Sequence, residues 1–378
     1  MAVLLTGGAG YIGSHTAVEL LNAGYDVIIA DNYANSSPIV AERVTQITGK
    51  PVKCYQVDVA DQAALKQVFQ ENPIDSVIHF AGLKAVGESV RLPLDYYRNN
   101  LDSTLALLAL MDAHGVRRLI FSSSATVYGK HASLPFREDA EAGPCTIPYG
   151  GPKLFIEQII RDYTAAHPDF STVLLRYFNP VGAHESGLIG EDPRDIPNNL
   201  MPYIARVAVG TLPYLNVFGD DYPTPDGTGV RDYIHVTDLA MGHMAALRYA
   251  AAHTGVEVFN LGTGAGYSVL DMVHAFSRAC GKEIPYRIAP RRSGDIAACY
   301  ADVSKAKEVL GWNAQLGIET CAAARGIGSA AIPTDMKSEG AVCPHFIISY
   351  SFISSMRSLA SLTEPAALLC LPECFSKA

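Results

Sequence analysis

A glycine-rich turn near the N-terminus constrains the fold of this chain more than any other feature. Residues 3–6 form a short apolar run without polar alternation, which is typical of a strand buried on both faces. The turn GGAGYIG at 7–13 follows, and apolar residues then recur at helical spacing over 17–21. Glycines let such a turn tighten and let backbone N–H groups approach a pyrophosphate at the N-terminus of the helix. The pattern therefore predicts a strand, turn and helix that together bind a dinucleotide.

An acidic residue follows the next apolar run and indicates which dinucleotide is bound. Residues 26–30 predict a second strand, which ends at Asp31. A carboxylate at this place can bind the ribose hydroxyls of adenosine and would repel a 2′-phosphate. The sequence therefore favours NAD over NADP.

Strand and helix patterns alternate through the first third of the chain. This rhythm predicts a doubly wound parallel sheet, in which ligands collect at the carboxyl ends of the strands. Five residues fall at those ends: Gly7, Asp31, Asp58, Ala81 and Ser124. The predicted elements are strands at 52–57, 76–80 and 118–121 and helices at 62–70 and 94–113.

A tyrosine and a lysine four residues apart begin a later helical pattern. Tyr149 and Lys153 share one face of that helix, so their side chains come within reach of each other. A free tyrosine has a pKa near 10, and a neighbouring ammonium, helped by a cationic cofactor ring, lowers it. Such a tyrosine can take a hydroxyl proton while a hydride leaves the same carbon.

Several motifs in combination resemble one known family. TGGAGYIGSH, FAGLKAVGES, SSSATVYG, Tyr149-x3-Lys153 and RYFNPVGAH are similar to those of the extended short-chain dehydrogenase/reductase family, from residue 1 to about 318. The resemblance implies an α/β protein with an NAD-binding Rossmann-type sheet and a smaller α/β substrate-binding domain. It also implies an isomerase that interconverts UDP-galactose and UDP-glucose through a 4-keto sugar, with tightly bound NAD.

The resemblance implies roles for individual residues. Tyr149 would be the acid/base, Lys153 would bind the nicotinamide ribose and lower the tyrosine pKa, and Ser124 would hydrogen-bond the sugar 4-oxygen. The residues that would contact NAD are Gly7, Gly10, Tyr11, Ile12, Gly13, Asp31, Asn32, Asn35, Ser36, Asp58, Val59, Phe80, Ala81, Gly82, Lys84, Asn99, Tyr149, Lys153 and Phe178.

The composition changes after Asn179, where loops rich in Pro, Gly and Asn dominate around one predicted helix at 199–210. We expect an NAD-binding domain at 1–180, a nucleotide-sugar-binding domain at 181–318 and an atypical tail at 319–378. Arg231 and Arg292 are candidates for a diphosphate clamp, since arginine offers forked donors to phosphate oxygens. The resemblance also places these residues around the substrate: Ser124, Asn179, Asn199, Leu200, Leu215, Asn216, Phe218, Arg231, Tyr233, Arg292, Asp295 and Cys299.

Cys299 aligns with the position that walls the hexose pocket in this family. A tyrosine there restricts the substrates to UDP-glucose and UDP-galactose, whereas a smaller residue also admits UDP-N-acetylhexosamines. The resemblance therefore implies room for an acetamido group beside Cys299.

Composition and charge exclude several other classes of protein. The 378 residues carry a net charge of −9 and no basic run, which argues against nucleic acid and anionic membrane as partners. The N-terminus has no charged region and enters a strand at once, unlike a signal peptide. The eight cysteines and eleven histidines show no metal-ligand spacing, so no metal is expected. We expect a cytoplasmic protein, and the resemblance implies a homodimer.

Two features depart from the family pattern. Pro152 stands where a small hydroxyl residue usually precedes the lysine, although proline is tolerated in a first helical turn. Beyond residue 318 the chain continues through an apolar stretch that is too short and too interrupted for a membrane span. That tail could be an altered reading frame, a disordered extension or an interaction segment.

Two rival functions stay open at this point. A nucleotide-sugar 4,6-dehydratase or decarboxylase on the same fold needs an added acid/base pair, which the family supplies as Asp-Glu or a Glu just after the catalytic hydroxyl residue. This chain has Ala125 and Thr126 there, which argues against both. The other rival is a non-catalytic NAD-binding protein, which Pro152 and the tail keep open.

Overall fold

The computed structural model describes residues 2–129, 132–145, 148–191, 199–292 and 294–323. The predicted tail at 319–378 lies almost wholly outside the described residues, so its role stays a prediction.

The described residues form strands and helices that alternate along the first half of the chain. The strands are β1 Ala2–Thr6, β2 Asp26–Asp31, β3 Lys53–Gln56, β4 Ile74–His79, β5 Arg118–Ser124, β6 Ser171–Tyr177, β7 Asn179–Val181, β8 Leu215–Phe218, β9 Val230–Arg231, β10 Tyr233–His235, β11 Gly255–Leu261, β12 Tyr267–Ser268, β13 Tyr286–Ala289 and β14 Ala298–Cys299. The helices are α1 Tyr11–Asn22, α2 Ile39–Thr48, α3 Gln62–Glu71, α4 Val86–Arg91, α5 Pro93–Ala113, α6 Gly150–Ala166, α7 Leu200–Ala208, α8 Val236–Ala252, α9 Val269–Cys280 and α10 Ser304–Leu310.

Seven parallel strands form the central sheet, in the order β11-β6-β5-β4-β1-β2-β3. All five residues of β1 are buried, as its unbroken apolar sequence requires of a strand covered on both faces. Val3 and Leu5 pack into one hydrophobic cluster with α1 and α8, whereas Ala2 and Leu4 pack into a second cluster with α3, α5 and α6. The doubly wound parallel sheet predicted from the sequence is therefore confirmed.

The sheet draws on chain from beyond residue 180. Strand β11 pairs with β6 along its whole length and forms one edge, and α8 packs on the same face as α1. The first 180 residues therefore do not complete the sheet by themselves. The predicted division into an NAD-binding and a substrate-binding domain stays a prediction about how the chain is organised.

Outside the central sheet, the described residues form three small sheets, β7 with β10, β9 with β12 and β14, and β8 with β13. The carboxylate of Asp232, whose side chain is fully buried, connects segments next to two of them, the sheet of β7 with β10 and the sheet of β9 with β12 and β14. It accepts hydrogen bonds from the Thr263 backbone (2.8 Å) and hydroxyl (2.6 Å), the Gly264 N–H (3.0 Å) and the Ala301 N–H (3.2 Å). Because Asp232 lies between β9 and β10, these bonds hold the neighbouring Arg231 in place.

A buried ion pair fixes α6 to the sheet. Both guanidinium bonds from Arg176 of β6 reach Glu157 of α6, at 3.0 and 2.7 Å, and the two side chains are 3% and 2% exposed. The Ser123 hydroxyl of β5 donates to the same carboxylate at 2.5 Å. Breaking such a pair costs roughly 3–5 kcal/mol, since the remaining charge stays buried without a partner.

No helix among the described residues is long and apolar enough to cross a membrane. The five cysteines in the described ranges, Cys54, Cys145, Cys280, Cys299 and Cys321, are all free thiols.

Candidate functional site

A cleft of 1330 Å³ runs along the carboxyl ends of the sheet strands. The glycine turn after β1, the loops after β2 and β4, the end of β5 and the start of α6 form one wall, and residues in and around the three small sheets form the other. Its position matches the place where parallel α/β sheets bind ligands.

The glycine turn needs glycine for two separate reasons. Gly7 has φ +70°, and a Cβ on it would lie 2.7 Å from the backbone nitrogen of Ala81. A Cβ on Gly13 would lie 2.6 Å from the Cα of Gly8, so only glycine lets α1 begin this close to the turn. The backbone of the turn is therefore open to a ligand that approaches the N-terminus of α1.

Asp31 lies at the end of β2, where the sequence predicts it, and its side chain is largely buried. Its carboxylate accepts hydrogen bonds from the Ala9 N–H (3.0 Å), the Tyr33 N–H (2.9 Å) and the Ser36 hydroxyl (2.8 Å). These bonds hold the loop after β2 against the glycine turn and fix the carboxylate at the cleft wall.

The helix that carries Lys153 forms in spite of Pro152. Tyr149 is the residue before α6 and already has helical φ and ψ of −60° and −39°, and Pro152 lies buried in the first turn. The Lys153 ammonium donates to the Ser122 carbonyl at 2.5 Å and lies 4.7 Å from the centre of the Phe121 ring. The expectation that a helix begins here is thus confirmed.

Burial governs the acid–base properties of this corner. Burial raises the pKa of Tyr149, and a hydrogen bond with Ser124 opposes part of that rise. Burial also lowers the pKa of Lys153 to about 8, which Glu157 partly counteracts. Burial is the largest of the effects on the pKa of Tyr149, whereas the lowered tyrosine pKa expected from the sequence is an effect of the Lys153 ammonium together with a cationic cofactor ring. It stays a prediction for the cofactor-loaded protein.

Arg231 and Arg292 lie on the wall opposite the glycine turn, and both approach the carboxylate of Asp295. Asp295 lies 2.9 Å from Arg292 Nε and 4.0 Å from Arg231. The Arg292 guanidinium also lies over the ring of Phe218, at 5.0 Å. Two fixed cations with one shared counter-ion leave donors that can bind an anionic ligand.

The cleft gathers most of the residues that the sequence singles out. Every residue expected to contact NAD lines it, and so do seven of those expected to contact the substrate. Those seven are Ser124, Asn179, Asn199, Arg231, Arg292, Asp295 and Cys299.

Five of the expected substrate residues lie outside the cleft lining, and their roles stay predictions. Leu215 and Tyr233 are buried in β8 and β10, and Asn216 accepts a hydrogen bond from Arg287 at 2.8 Å. Leu200 is half-buried at the start of α7. Phe218 is exposed, and the Arg292 guanidinium lies over its ring.

Sequence reasoning missed other lining residues, among them Ser122, Tyr177 and Glu191. Glu191 accepts from the Asn199 side chain at 2.7 Å and lies 3.8 Å from the Lys84 ammonium. Tyr177 lies inside the RYFNPVGAH motif, and its place at the end of a buried strand is a signal that could have identified it.

In the parts of the chain that the structure describes, no group of three or more His, Cys, Asp or Glu side chains is arranged to hold a metal ion. His15 and His235 are buried, and burial lowers their pKa values to about 3 and about 4. They are therefore neutral at physiological pH.

Comparisons with known proteins agree with this site. The model of the NAD dependent epimerase/dehydratase family matches residues 3–262. A UDP-glucose 4-epimerase of Bifidobacterium longum is 63% identical over 321 residues, which cover 85% of this chain and 94% of that protein. The UDP-glucose 4-epimerase of Homo sapiens is 58% identical over 323 residues, 84% of this chain and 93% of that protein.

A solved structure shares the fold as well as the sequence. The crystal structure of the Bifidobacterium longum UDP-glucose 4-epimerase in complex with NAD⁺ and UDP has a TM-score of 0.85 and 62% identity, and the match covers 87% of this chain and 98% of that one. The glycine turn, Asp31, Tyr149 and Lys153 thus lie in a chain that belongs to the NAD dependent epimerase/dehydratase family.

Proposed function

We propose that this chain is an NAD-dependent isomerase that interconverts UDP-galactose and UDP-glucose through a 4-keto sugar, the reaction of a UDP-glucose 4-epimerase. The observation that carries the proposal is the meeting of Tyr149, Lys153 and Ser124 in one cleft. The glycine turn and Asp31 lie along the same cleft, and Arg231 and Arg292 face them. The identity to UDP-glucose 4-epimerases over most of the chain supports the same reaction.

The residues on the sheet side fit NAD. The backbone N–H groups of the glycine turn would hold the pyrophosphate at the N-terminus of α1. Gly7 and Gly13 permit this turn, because a Cβ on either would collide with neighbouring backbone atoms. Asp31 would bind the adenosine ribose and exclude a 2′-phosphate. Lys153 would bind the nicotinamide ribose.

When bound, NAD supplies a hydride acceptor that returns the hydride in the same turnover. Tyr149 takes the proton from O4 of the sugar as C4 is oxidised, and it returns a proton to O4 when C4 is reduced on the other face. Ser124 holds O4 beside Tyr149, and the Lys153 ammonium stabilises the phenolate. The net reaction consumes no cofactor.

The arginine side would hold the nucleotide while the sugar turns. Arg231 and Arg292 bind the diphosphate through forked N–H groups, as the expected clamp requires. Asn179, Asn199 and Asp295 lie on the same cleft and would contact uridine or the diphosphate. A substrate held only through its diphosphate leaves the hexose free to present either face to Tyr149.

A homodimer is also part of the proposal. Leu94 and Leu105 lie on one face of α5 and are 77% and 49% exposed. The exposed Phe155 of α6 lies beside that face, with its ring 5.9 Å from the ring of Tyr97. Exposed apolar stripes of this kind mark protein interfaces. A second copy of the chain can cover the stripe with its own α5 and α6. Galactose metabolism follows from the proposed substrates, and a cytoplasmic location is part of the same proposal.

The first prediction concerns the glycine turn. Gly7→Ala should lose most of the NAD that wild-type protein releases on denaturation, because the new Cβ meets the backbone of Ala81 at 2.7 Å. Gly49→Ala is the matched control, since Gly49 has a similar φ of +67° but no heavy atom within 4 Å. Both variants carry the same left-handed strain of about 1–2 kcal/mol, so a difference in NAD content reports the collision. Release of NADP, or of no dinucleotide, from folded wild-type protein would contradict NAD as the cofactor.

The second prediction tests the reaction itself. Wild-type protein given UDP-galactose should yield UDP-glucose, and Tyr149→Phe should lower turnover about a hundredfold or more, the usual effect of removing a positioned acid/base. Substrate binding should survive, because the ring and both arginines remain. An accumulating deoxy-keto sugar would indicate a dehydratase, and no product at all would indicate a non-catalytic NAD-binding protein.

Pro152→Ser serves as a comparison, since improved turnover would show that Pro152 impairs the wild-type enzyme.

The third prediction concerns which sugars enter. Cys299 lies on the cleft in β14, paired in register with Arg231 of β9, and burial raises the pKa of its thiol to about 12, so the thiol stays neutral. Wild type should convert both UDP-galactose and UDP-N-acetylgalactosamine. Cys299→Tyr should keep the first activity and lose most of the second, because a steric wall excludes only the larger sugar. A variant that handles both sugars as wild type does would show that Cys299 does not limit the pocket.

The fourth prediction concerns assembly. Phe155→Glu should convert a dimer to monomers in sedimentation equilibrium, because a charge in an apolar interface is left without a partner. Val309→Glu on α10, where Val309 is also exposed, should leave the dimer intact. A monomeric wild-type protein would rule out the proposed interface.

A further inference from the structure

Tyr177 is a second tyrosine on the wall of the cleft. It ends β6, its side chain is 6% exposed, and it lines the cleft together with Tyr149 and Lys153. Its hydroxyl makes a short hydrogen bond with Nε2 of His243, a fully buried residue of α8. The mechanism above gives neither residue a role.

The direction of this hydrogen bond follows from the other side of the imidazole. His243 Nδ1 lies 2.8 Å from the Leu239 carbonyl, which can only accept, so Nδ1 carries a proton. Burial lowers the pKa of His243 to about 4, so the ring is neutral near pH 7 and its Nε2 accepts. Tyr177 therefore donates to His243. The phenol is held protonated, and burial raises its pKa further, so Tyr177 is not a second base.

The Tyr177 oxygen is linked in turn to the residue that holds Lys153. Tyr177 is paired in register with Ser124 of β5, and the Ser122 side chain of the same strand lies near enough to lower the pKa of the Tyr177 phenol by hydrogen bonding. The Ser122 carbonyl accepts the Lys153 ammonium at 2.5 Å. On its other side the His243 ring lies 4.9 Å from the ring of Phe80, which also lines the cleft. One continuous set of contacts thus runs from α8 through the ends of β6 and β5 to Lys153.

We propose that Tyr177 and His243 are positioning residues, which fix the end of β5 and thereby hold the Lys153 ammonium at the distance from Tyr149 that the proton transfer needs. The proposal rests on the proposed epimerase function. Its physical basis is that the carbonyl receiving the lysine belongs to the residue that Tyr177 anchors. If the anchor is lost, Lys153 stays buried but its ammonium is no longer fixed relative to Tyr149.

Tyr177→Phe tests the proposal, because it removes one hydroxyl and keeps the ring. We expect kcat to fall about tenfold to a hundredfold, as small misplacements of catalytic groups do. KM for UDP-galactose should change little, since Arg231 and Arg292 are untouched. The rising limb of the kcat profile should move to higher pH, because a phenol farther from the ammonium ionises less readily.

A second readout does not use activity. The tyrosinate absorbance of Tyr177→Phe minus that of Tyr177→Phe/Tyr149→Phe, followed against pH, reports the pKa of Tyr149 in the NAD-loaded protein. That pKa should be higher than the one obtained from wild type minus Tyr149→Phe. Equal values would overturn the proposal even if kcat had fallen.

His243 provides the partner variants. In His243→Gln the amide oxygen can still accept from Tyr177, so kcat and the pH profile should recover most of the wild-type behaviour. His243→Leu removes the acceptor and should reproduce Tyr177→Phe, and the double variant should be no worse than either single one, as expected of one coupled unit. These variants decide the question if Tyr177→Phe does not accumulate as folded, NAD-loaded protein.

Tyr249→Phe is the matched control, since it makes the same chemical change on α8, where Tyr249 stacks on His253 away from the cleft. Its kcat and pH profile should equal those of wild type. An unchanged kcat and pH profile in folded Tyr177→Phe or His243→Leu would overturn the proposal. An inactive wild-type protein would instead contradict the epimerase function, so the two failures are distinguishable.

Discussion

The buried ion pair between Glu157 and Arg176 is the interaction on which the site depends most. It ties α6, which begins directly after Tyr149 and carries Lys153, to β6, and through Ser123 to β5. A charged pair in this position stabilises little by itself, because desolvation offsets much of its attraction. What it provides is a fixed place for the helix, since any shift of α6 would leave two buried charges without partners.

The same use of buried polar groups recurs across the cleft. Asp232 holds the segments around Arg231, and Asp31 holds the loop after β2 against the glycine turn. In each case one carboxylate takes three or more hydrogen bonds from different segments, which compensates for its burial. The result is two walls held in fixed positions, one proposed to bind the dinucleotide and the other proposed to bind the anionic nucleotide. Rigid walls favour a reaction that depends on positioning a hydride and a proton at one carbon.

Much of the sheet side could be predicted from the sequence. The apolar run of β1, the glycine turn and Asp31 act through local backbone geometry and strand order, so their positions follow from short stretches of chain. The Tyr149 and Lys153 spacing likewise places both on one helix turn. The opposite wall was less predictable, since short strands in long loops carry no periodic signal. Leu215, Asn216 and Tyr233 were assigned there by the resemblance alone, and they lie outside the cleft lining. The return of β11 to the central sheet was not predicted, because its pairing with β6 joins segments that are more than 80 residues apart in the chain.

The sequence by itself determined the fold class, the dinucleotide turn and the residues from which a tyrosine–lysine pair could be made, because each is encoded within a few neighbouring residues. Only the tertiary structure decided where the Lys153 ammonium points, since its partner is the Ser122 carbonyl, 31 residues earlier in the chain. It also decided that Tyr177 donates to His243, 66 residues away. Contacts at such separations depend on which strands pair and which helix covers them, and no local pattern of residues records that.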